Sequence, residues 1–344
     1  MQGLTSLTMP PLPAKMRAVE VLAPGGAEAL CITDVAVPTL SKGEVLIQVS
    51  AAGVNRPDLL QRQGLYPPPA GASPRLGLEV SGRIVSLGLG VSEAHLGRKV
   101  MALTNGGGYA QYVSVPVAQC MLIPEGLSDE VAASLPETYL TVWQNLFVKA
   151  GLQKGQHVLI HGGSSGIGCA AIQLAKVHGA VVHVTVADAT KAEFCRGLGA
   201  DFVYLYPSER WEDLAYKNTG SQGIDVVLDM VAGDYVNRNL RCLKPKGIVI
   251  VIALLGGRMA QVDGALLMGK QALLTGSTLR PQSADFKASL CRAVEVELAS
   301  GFAKGMIHSV VKACYEFDEV AQAHRWLESG KNFGKVVLRV SHNE

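Results

Sequence analysis

From Met16 to about Pro136 the apolar positions fall in short alternating runs: Met16-Arg-Ala-Val-Glu-Val-Leu22, Glu44-Val-Leu-Ile-Gln-Val-Ser50, Val80-Ser-Gly-Arg-Ile-Val-Ser86, Lys99-Val-Met-Ala-Leu103 and Tyr109-Ala-Gln-Tyr-Val-Ser114. A period of two predicts half-buried strands, and Pro24-Gly-Gly26 and Asn105-Gly-Gly-Gly108 supply turns between them. This half is therefore expected to be mostly β, with a barrel-like character. After Pro136 the pattern changes to apolar runs alternating with helical periodicity. Strands are predicted at 157–161, 181–186, 202–206, 224–229, 247–253 and 272–278, with helices that include 167–176 and 235–243. Six strands joined by crossovers make an α/β, doubly wound parallel sheet. Val181-Val-His-Val-Thr-Val186 and Ile248-Val-Ile-Val-Ile252 are apolar on both faces, as burial between two helix layers requires. The tail leaves the alternation with a helix at 317–327 and a strand at 335–340, expected to return to the first domain. The organisation expected is a loose extension over 1–15, a β domain over 16–136, an α/β domain over 137–280 and a C-terminal return over 281–344.

Composition narrows the function. With 344 residues, 48% of them hydrophobic, the chain can bury a large core and suits two domains of ordinary size. A net charge of +2, without a polybasic run, argues against nucleic acid or an anionic membrane as partner and for small-molecule chemistry. No stretch approaches the roughly 20 apolar residues of a membrane span, and the start lacks the apolar core of a secretory signal. Seven cysteines, widely spaced and without a C-x-x-C, suit buried thiols in a reducing compartment. A cytoplasmic location is expected.

The chemistry concentrates at His157-Val-Leu-Ile-His-Gly-Gly-Ser-Ser-Gly-Ile-Gly168, where a buried strand feeds a glycine-rich turn and then a helix. In a dinucleotide site that order turns backbone N–H groups and the positive helix end toward a pyrophosphate. Gly163 is expected to supply the bend and Gly168 the close approach of helix and strand, with Gly166 and Ile167 between them. Ser165 stands where the pattern has its middle glycine; its hydroxyl is read as an added contact to phosphate or nicotinamide amide, the plain alternative being a loop serine that satisfies its own backbone. His157, His161 and His183 are read as core or edge histidines, and Trp143 and Trp326 as packing.

Several separated motifs resemble the medium-chain dehydrogenase/reductases, and among them the zinc-free quinone oxidoreductases similar to zeta-crystallin, in particular the stress-inducible branch. They are Gly53-Val-Asn-Arg-Pro-Asp58, Gln63-Gly-Leu-Tyr-Pro-Pro68, Gly77-Leu-Glu-Val-Ser-Gly82, Gly106-Gly-Gly-Tyr-Ala-Gln-Tyr-Val113, the turn at 162–168 and Gly334-Lys-Val-Val-Leu338, and the resemblance runs from Met16 to Val340. It implies a GroES-like catalytic domain beside a six-stranded Rossmann domain. Zinc members carry Cys where this chain has Asn55 and His where it has Leu78, and neither replacement is a zinc ligand. The structural-zinc lobe is absent as well, since no cysteine occurs between Val100 and Val117. Glu79 survives from the zinc motif, with hydrogen bonding inside the cleft as its expected role.

The resemblance implies hydride transfer from nicotinamide to a quinone in a cleft between the domains, without metal. Hydride transfer then depends on positioning and on a hydrogen-bond donor where charge develops. Tyr66, in a loop stiffened by Pro67, Pro68 and Pro69, matches a cleft tyrosine, the alternative being a packed loop residue. Asn55 is implied beside nicotinamide or substrate, the alternative being a turn residue. Tyr66, Ser165 and Asn55 are thus the catalytic candidates. Thr141 matches a residue on the nicotinamide side. Lys191 and Tyr206 match positions that hold a 2′-phosphate, and Val186 replaces the acidic residue of NAD-preferring relatives, which favours NADPH over NADH. Asp188 complicates that choice, since a carboxylate facing inward would repel the phosphate. Further cofactor contacts are implied at Ala253, Leu255, Thr278, Leu279, Arg280 and Asn332, with Arg280 or Lys331 aiding the phosphate end. The edge Ala272-Leu-Leu-Thr-Gly-Ser-Thr278 is expected to pair with a second copy in a homodimer. Reduction of an activated C=C bond in an enone, 2-alkenal or enoyl thioester fits the same residues; a nucleotide-binding sensor or crystallin-like structural protein is the alternative of another class.

Overall fold

A computed structural model describes residues 11–342. They form two units, one holding the described residues up to Glu137 with Ser283–Glu295 and those from Val311 onward, the other holding Thr138–Gln282 with Val296–Val310. The extension expected over 1–15 falls mostly outside the described residues, and Lys15 already opens the first strand.

In the first unit β1 (Lys15–Val21) and β2 (Leu30–Ala36) pair antiparallel. The main sheet starts with β3 (Glu44–Val54), which runs past the predicted end at Ser50 because Ala51, Ala52, Gly53 and Val54 are small enough to pack against neighbours on both sides. Short helix α1 (Arg56–Arg62) follows, then β4 (Glu79–Leu87), β5 (Lys99–Leu103), β6 (Tyr112–Pro116) and β7 (Cys120–Leu122). Helices α2 (Asp129–Ala132) and α3 (Pro136–Val142) lead out of this region. Period two divides β3 between two cores: Val45, Ile47 and Val49 join one cluster, and Leu46 joins Met16, Ala18 and Val85 in another.

The second unit carries β8 (His157–His161), α4 (Gly166–Val177), β9 (Val181–Val186), α5 (Ala189–Gly197), β10 (Phe202–Leu205), α6 (Trp211–Asn218), β11 (Ile224–Asp229), α7 (Tyr235–Cys242), β12 (Leu243–Val251), α8 (Gly264–Gly269) and β13 (Leu273–Gly276). All six strands are parallel, in the order β10-β9-β8-β11-β12-β13. This is the doubly wound sheet that the alternation predicts. Val182, Val184 and Val186 are fully buried on one face of β9 and His183 and Thr185 on the other; each large aliphatic side chain so buried contributes about 1.5–3 kcal/mol.

The chain continues with α9 (Ala284–Ala303), β14 (Val311–Glu316), α10 (Val320–Glu328) and β15 (Lys335–Arg339). β15 pairs antiparallel with β3 and parallel with β14, so the tail completes the seven-stranded sheet of the first unit. Among the described residues no helix is long and apolar enough to cross a membrane.

Candidate active site

In the second unit the strand order reverses at β8, which has β9 on one side and β11 on the other. Such a switch point opens a crevice at the carboxyl ends of the strands. The glycine-rich turn lies there. Its bend falls on Gly162, at φ +64°, and not on Gly163 as expected. Gly163 instead provides clearance, since a Cβ on it would lie 2.7 Å from Val184 Cβ, and its lack of a side chain lets the turn pass over β9. Gly168 meets the expectation of close approach, since a Cβ there would come within 2.4 Å of Gly162 O and 2.5 Å of Gly163 O. Ser165 is the N-cap of α4, its Oγ accepting from Gly168 N at 3.0 Å, with Met230 Sδ 3.7 Å away. The hydroxyl oxygen therefore serves its own helix, as the plainer alternative has it, while the partly exposed first turn with Gly166 and Ile167 presents the helix N-terminus. The cradle fits a pyrophosphate.

Around the end of β9 the structure gathers the residues expected at the 2′ position. Tyr206 follows β10, donates its backbone N–H to Val186 O at 3.1 Å and leaves its side chain 43% exposed. Asp188 caps α5, its Oδ1 accepting from Lys191 N at 2.9 Å. Arg280 lies elsewhere. It follows β13, which stands four strands from β9 in the sheet order, and it is buried.

Four further implied contacts, Ala253, Leu255, Thr278 and Leu279, follow β12 and β13 of the same sheet. Ala253 and Leu255 lie in the loop after β12, which Leu255 N and Gly256 N fasten to Met230 O and Val231 O at 3.2 and 2.7 Å. Asp229, fully buried at the end of β11, shapes the adjoining loop by accepting from Val231 N at 2.7 Å, Ala232 N at 2.9 Å and Asn239 Nδ2 at 2.9 Å. Asn239 thus turns its oxygen to His161, 2.7 Å away, so His161 Nε2 carries the proton; burial lowers the pKa of that ring. Thr141 lies in α3, its carbonyl accepting from Asn145 Nδ2 at 2.8 Å where the helix widens into a π-turn over Trp143–Lys149. Gln144 Nε2 donates to Ser277 Oγ at 2.7 Å, joining that helix to the turn that holds exposed Thr278 and buried Leu279. A cavity of about 370 Å³ opens beside them, lined by Gln144, Lys149, Gly276, Ser277, Thr278 and Gln282. π-turns of this kind recur at functional sites, and the sequence gives no sign of one.

In the first unit Asn55 is the N-cap of α1 and sits in a buried polar cluster. Its Nδ2 donates to Glu79 Oε1 at 2.8 Å, and its Oδ1 accepts from Lys335 Nζ at 2.6 Å. Lys335 also donates to Glu79 Oε1 at 2.6 Å, and Glu79 Oε2 accepts from Glu137 N at 2.8 Å. Glu79 is fully buried, and Lys335 is 3% exposed. Gly53 makes room for the carboxylate: a Cβ there would lie 2.1 Å from Glu79 Oε1. In the sequence Lys335 stands out only as part of the Gly334-Lys-Val-Val-Leu338 motif. Its signal is a lone charge at the head of an apolar strand, and a buried charge needs a partner.

Beneath this cluster Asp58 accepts from Asn55 N at 2.9 Å, Gly77 N at 3.0 Å and Tyr109 Oη at 3.2 Å. Burial pushes its pKa up to about 6, against the pull of those donors and of Lys335. Tyr109 continues to His324, and His324 to Arg62 at 3.2 Å, which pairs with Glu328. Burial holds the His324 ring neutral, its pKa lowered to about 3. Tyr66 stands half-buried in the loop after α1, and Asn332 precedes β15, both in this unit.

The donor set does not fit zinc. Asn55 and Leu78 replace two ligands, Glu79 is engaged by an ammonium group, and among the described residues no three His, Cys, Asp or Glu side chains form a metal-binding group. Family models match in two places, the alcohol dehydrogenase GroES-like domain over 41–125 and the zinc-binding dehydrogenase model over 166–295. A quinone oxidoreductase of Lama guanicoe is 32% identical over 334 residues, covering 94% of this chain and 97% of that protein. The chain belongs to the medium-chain dehydrogenase/reductase superfamily, in its quinone oxidoreductase-like group. It is thus a member of an oxidoreductase family. A mycobacterial protein solved as its NADPH complex is 30% identical with TM-score 0.84, covering 94% of this chain and all of that one (100%). The CurK enoyl reductase is 26% identical with TM-score 0.83, over 95% and 99% of the two chains.

Proposed function

We propose that this protein is an NADPH-dependent quinone reductase that works without a metal. The observation that carries the reading is the Asn55–Glu79–Lys335 cluster, which sets a fixed amide donor where zinc relatives hold a ligand. Bound NADPH supplies a hydride from its nicotinamide. The chain's part is to hold the cofactor and to stabilise charge on the acceptor. The α4 N-terminus and the Gly162–Gly168 turn take the pyrophosphate, and Lys191 and Tyr206 take the 2′-phosphate. Asn55 Nδ2–H and the Tyr66 O–H donate to the acceptor oxygen as it becomes negative, and a proton from water completes the hydroquinone. The similarity to a quinone oxidoreductase and to an NADPH-bound relative supports this assignment.

The same donors suit the enolate formed when hydride adds to an enone, and the likeness to an enoyl reductase favours that second reading. Loss of NADPH absorbance against a panel of quinones and enones separates them. Turnover of quinones is expected; turnover of enones with none of quinones transfers the protein to C=C reduction, and NADPH binding with turnover of neither points to a nucleotide sensor. We further propose a homodimer formed along β13, where Leu273 is 60% and Leu274 36% exposed.

A further inference from the structure

The orientation of the Asn55 amide is decided by two buried charges. Its oxygen faces the Lys335 ammonium at 2.6 Å and its nitrogen faces the Glu79 carboxylate at 2.8 Å. Rotating the amide by half a turn would set N–H against ammonium and oxygen against carboxylate, so the assignment is fixed by chemistry. Glu79 is itself held by Glu137 N at 2.8 Å and by the space that Gly53 leaves. One Nδ2–H remains after the bond to Glu79, on a residue that is 8% exposed. A cation on the carbonyl draws charge from the amide nitrogen and strengthens that remaining donor, and burial of Lys335 keeps water from screening it.

We propose that Lys335 is a positioning residue for the reduction: with Glu79 it fixes and polarises Asn55, so that the free amide N–H meets the acceptor oxygen that gains charge. This rests on the reading that the acceptor oxygen approaches Asn55. The cluster thereby gives a donor that is set before the acceptor arrives, which is the condition for electrostatic stabilisation of a transition state.

The test is a double-mutant cycle in the whole protein with NADPH and a quinone. Lys335→Met is expected to lower kcat by about 10–100-fold with the KM for NADPH unchanged, and Lys335→Arg to restore much of it. In an Asn55→Ala background the same substitution should cost less than about threefold, since the two residues act as one unit. A loss of equal size in both backgrounds overturns the proposal. Because Lys335→Met strands a buried carboxylate, Glu79→Leu combined with Lys335→Met removes both charges and carries the same expectation in a variant that keeps the core apolar. A second readout needs no turnover: the ¹⁵N side-chain amide resonance of Asn55, assigned by its loss in Asn55→Ala, should move upfield in Lys335→Met and return in Lys335→Arg. An unmoved resonance overturns the coupling whatever the activity, whereas a moved resonance in a protein that reduces no quinone or enone overturns the functional reading alone.

Discussion

The proposed preference for NADPH can be tested at Asp188. Its carboxylate spends one oxygen on Lys191 N at 2.9 Å, as an N-cap, yet it remains a negative charge beside the residues expected to hold a 2′-phosphate. Serine caps a helix about as well and carries no charge. Asp188→Ser is therefore expected to lower the KM for NADPH by about 3–10-fold, or about 1 kcal/mol, with little change for NADH; steady-state kinetics with both nucleotides would show it, and an equal shift for both would place the residue away from the phosphate. A second residue-scale prediction concerns Asp58. Its folded pKa of about 6 lies above the ordinary value of 3.8, so its contribution to stability is full below about pH 4 and is lost as pH rises through 6. Two units correspond to about 3 kcal/mol. Urea melts from pH 4 to 8 should show wild type losing that much relative to Asp58→Asn, and parallel curves would contradict the assignment. Asn55 was legible in the sequence because it replaces a cysteine in a motif. Lys335 was not, because its partners lie 280 and 256 residues away and only β15 pairing with β3 brings them together.

At the scale of elements, what was legible follows from burial. β8, β9 and β11 match their predicted bounds because each is buried along nearly its whole length, whereas β12, predicted over 247–253, spans Leu243–Val251. β2 was missed because Leu30-Cys-Ile-Thr-Asp-Val-Ala36 is partly exposed along its length, and α9 because its apolar residues are spread around the helix without one clear face. The turn between β8 and α4 shows the same limit at finer grain. Its glycines announce a tight passage, but which glycine bends and which gives clearance depends on Val184 in the neighbouring strand. Gly168→Ala tests this. The atoms a Cβ would meet are backbone oxygens at 2.4 and 2.5 Å, which cannot rotate away, so a loss of about 1–3 kcal/mol is expected together with weakened NADPH binding. Ser165→Ala should cost only about 1 kcal/mol, the value of a cap. Thermal melts and fluorescence titration with NADPH measure both, and a Gly168→Ala protein with unaltered nucleotide affinity would show that helix and turn have room to part.

For the whole molecule the remaining question is whether one chain is the functional particle. β13 ends the parallel sheet, with β12 on one side and, among the described residues, no strand of this chain on the other. It is short, carries no charge within Leu273–Gly276, and exposes Leu273, Leu274 and nearby Met268, the last by 76%. Proteins that stay monomeric protect such an edge with charge, proline, a bulge or a very short strand, and of these β13 has only its shortness. Pairing two copies along this edge would satisfy its backbone groups and cover the leucines at once, and a two-fold axis makes the contact self-complementary. The side chains alone are too few for the roughly 1,200–2,000 Å² that a stable interface buries, so the strand pairing has to bring adjoining surface, including α8, into contact. Size exclusion with light scattering is expected to give twice the 36.3 kDa of the chain. Leu274→Lys, which sets like charges close together across the axis, should give the single-chain mass while leaving NADPH binding in place, since Leu274 lies on the free edge and outside the nucleotide crevice. A wild-type protein at the single-chain mass would mean that the apolar edge of β13 is left open to solvent.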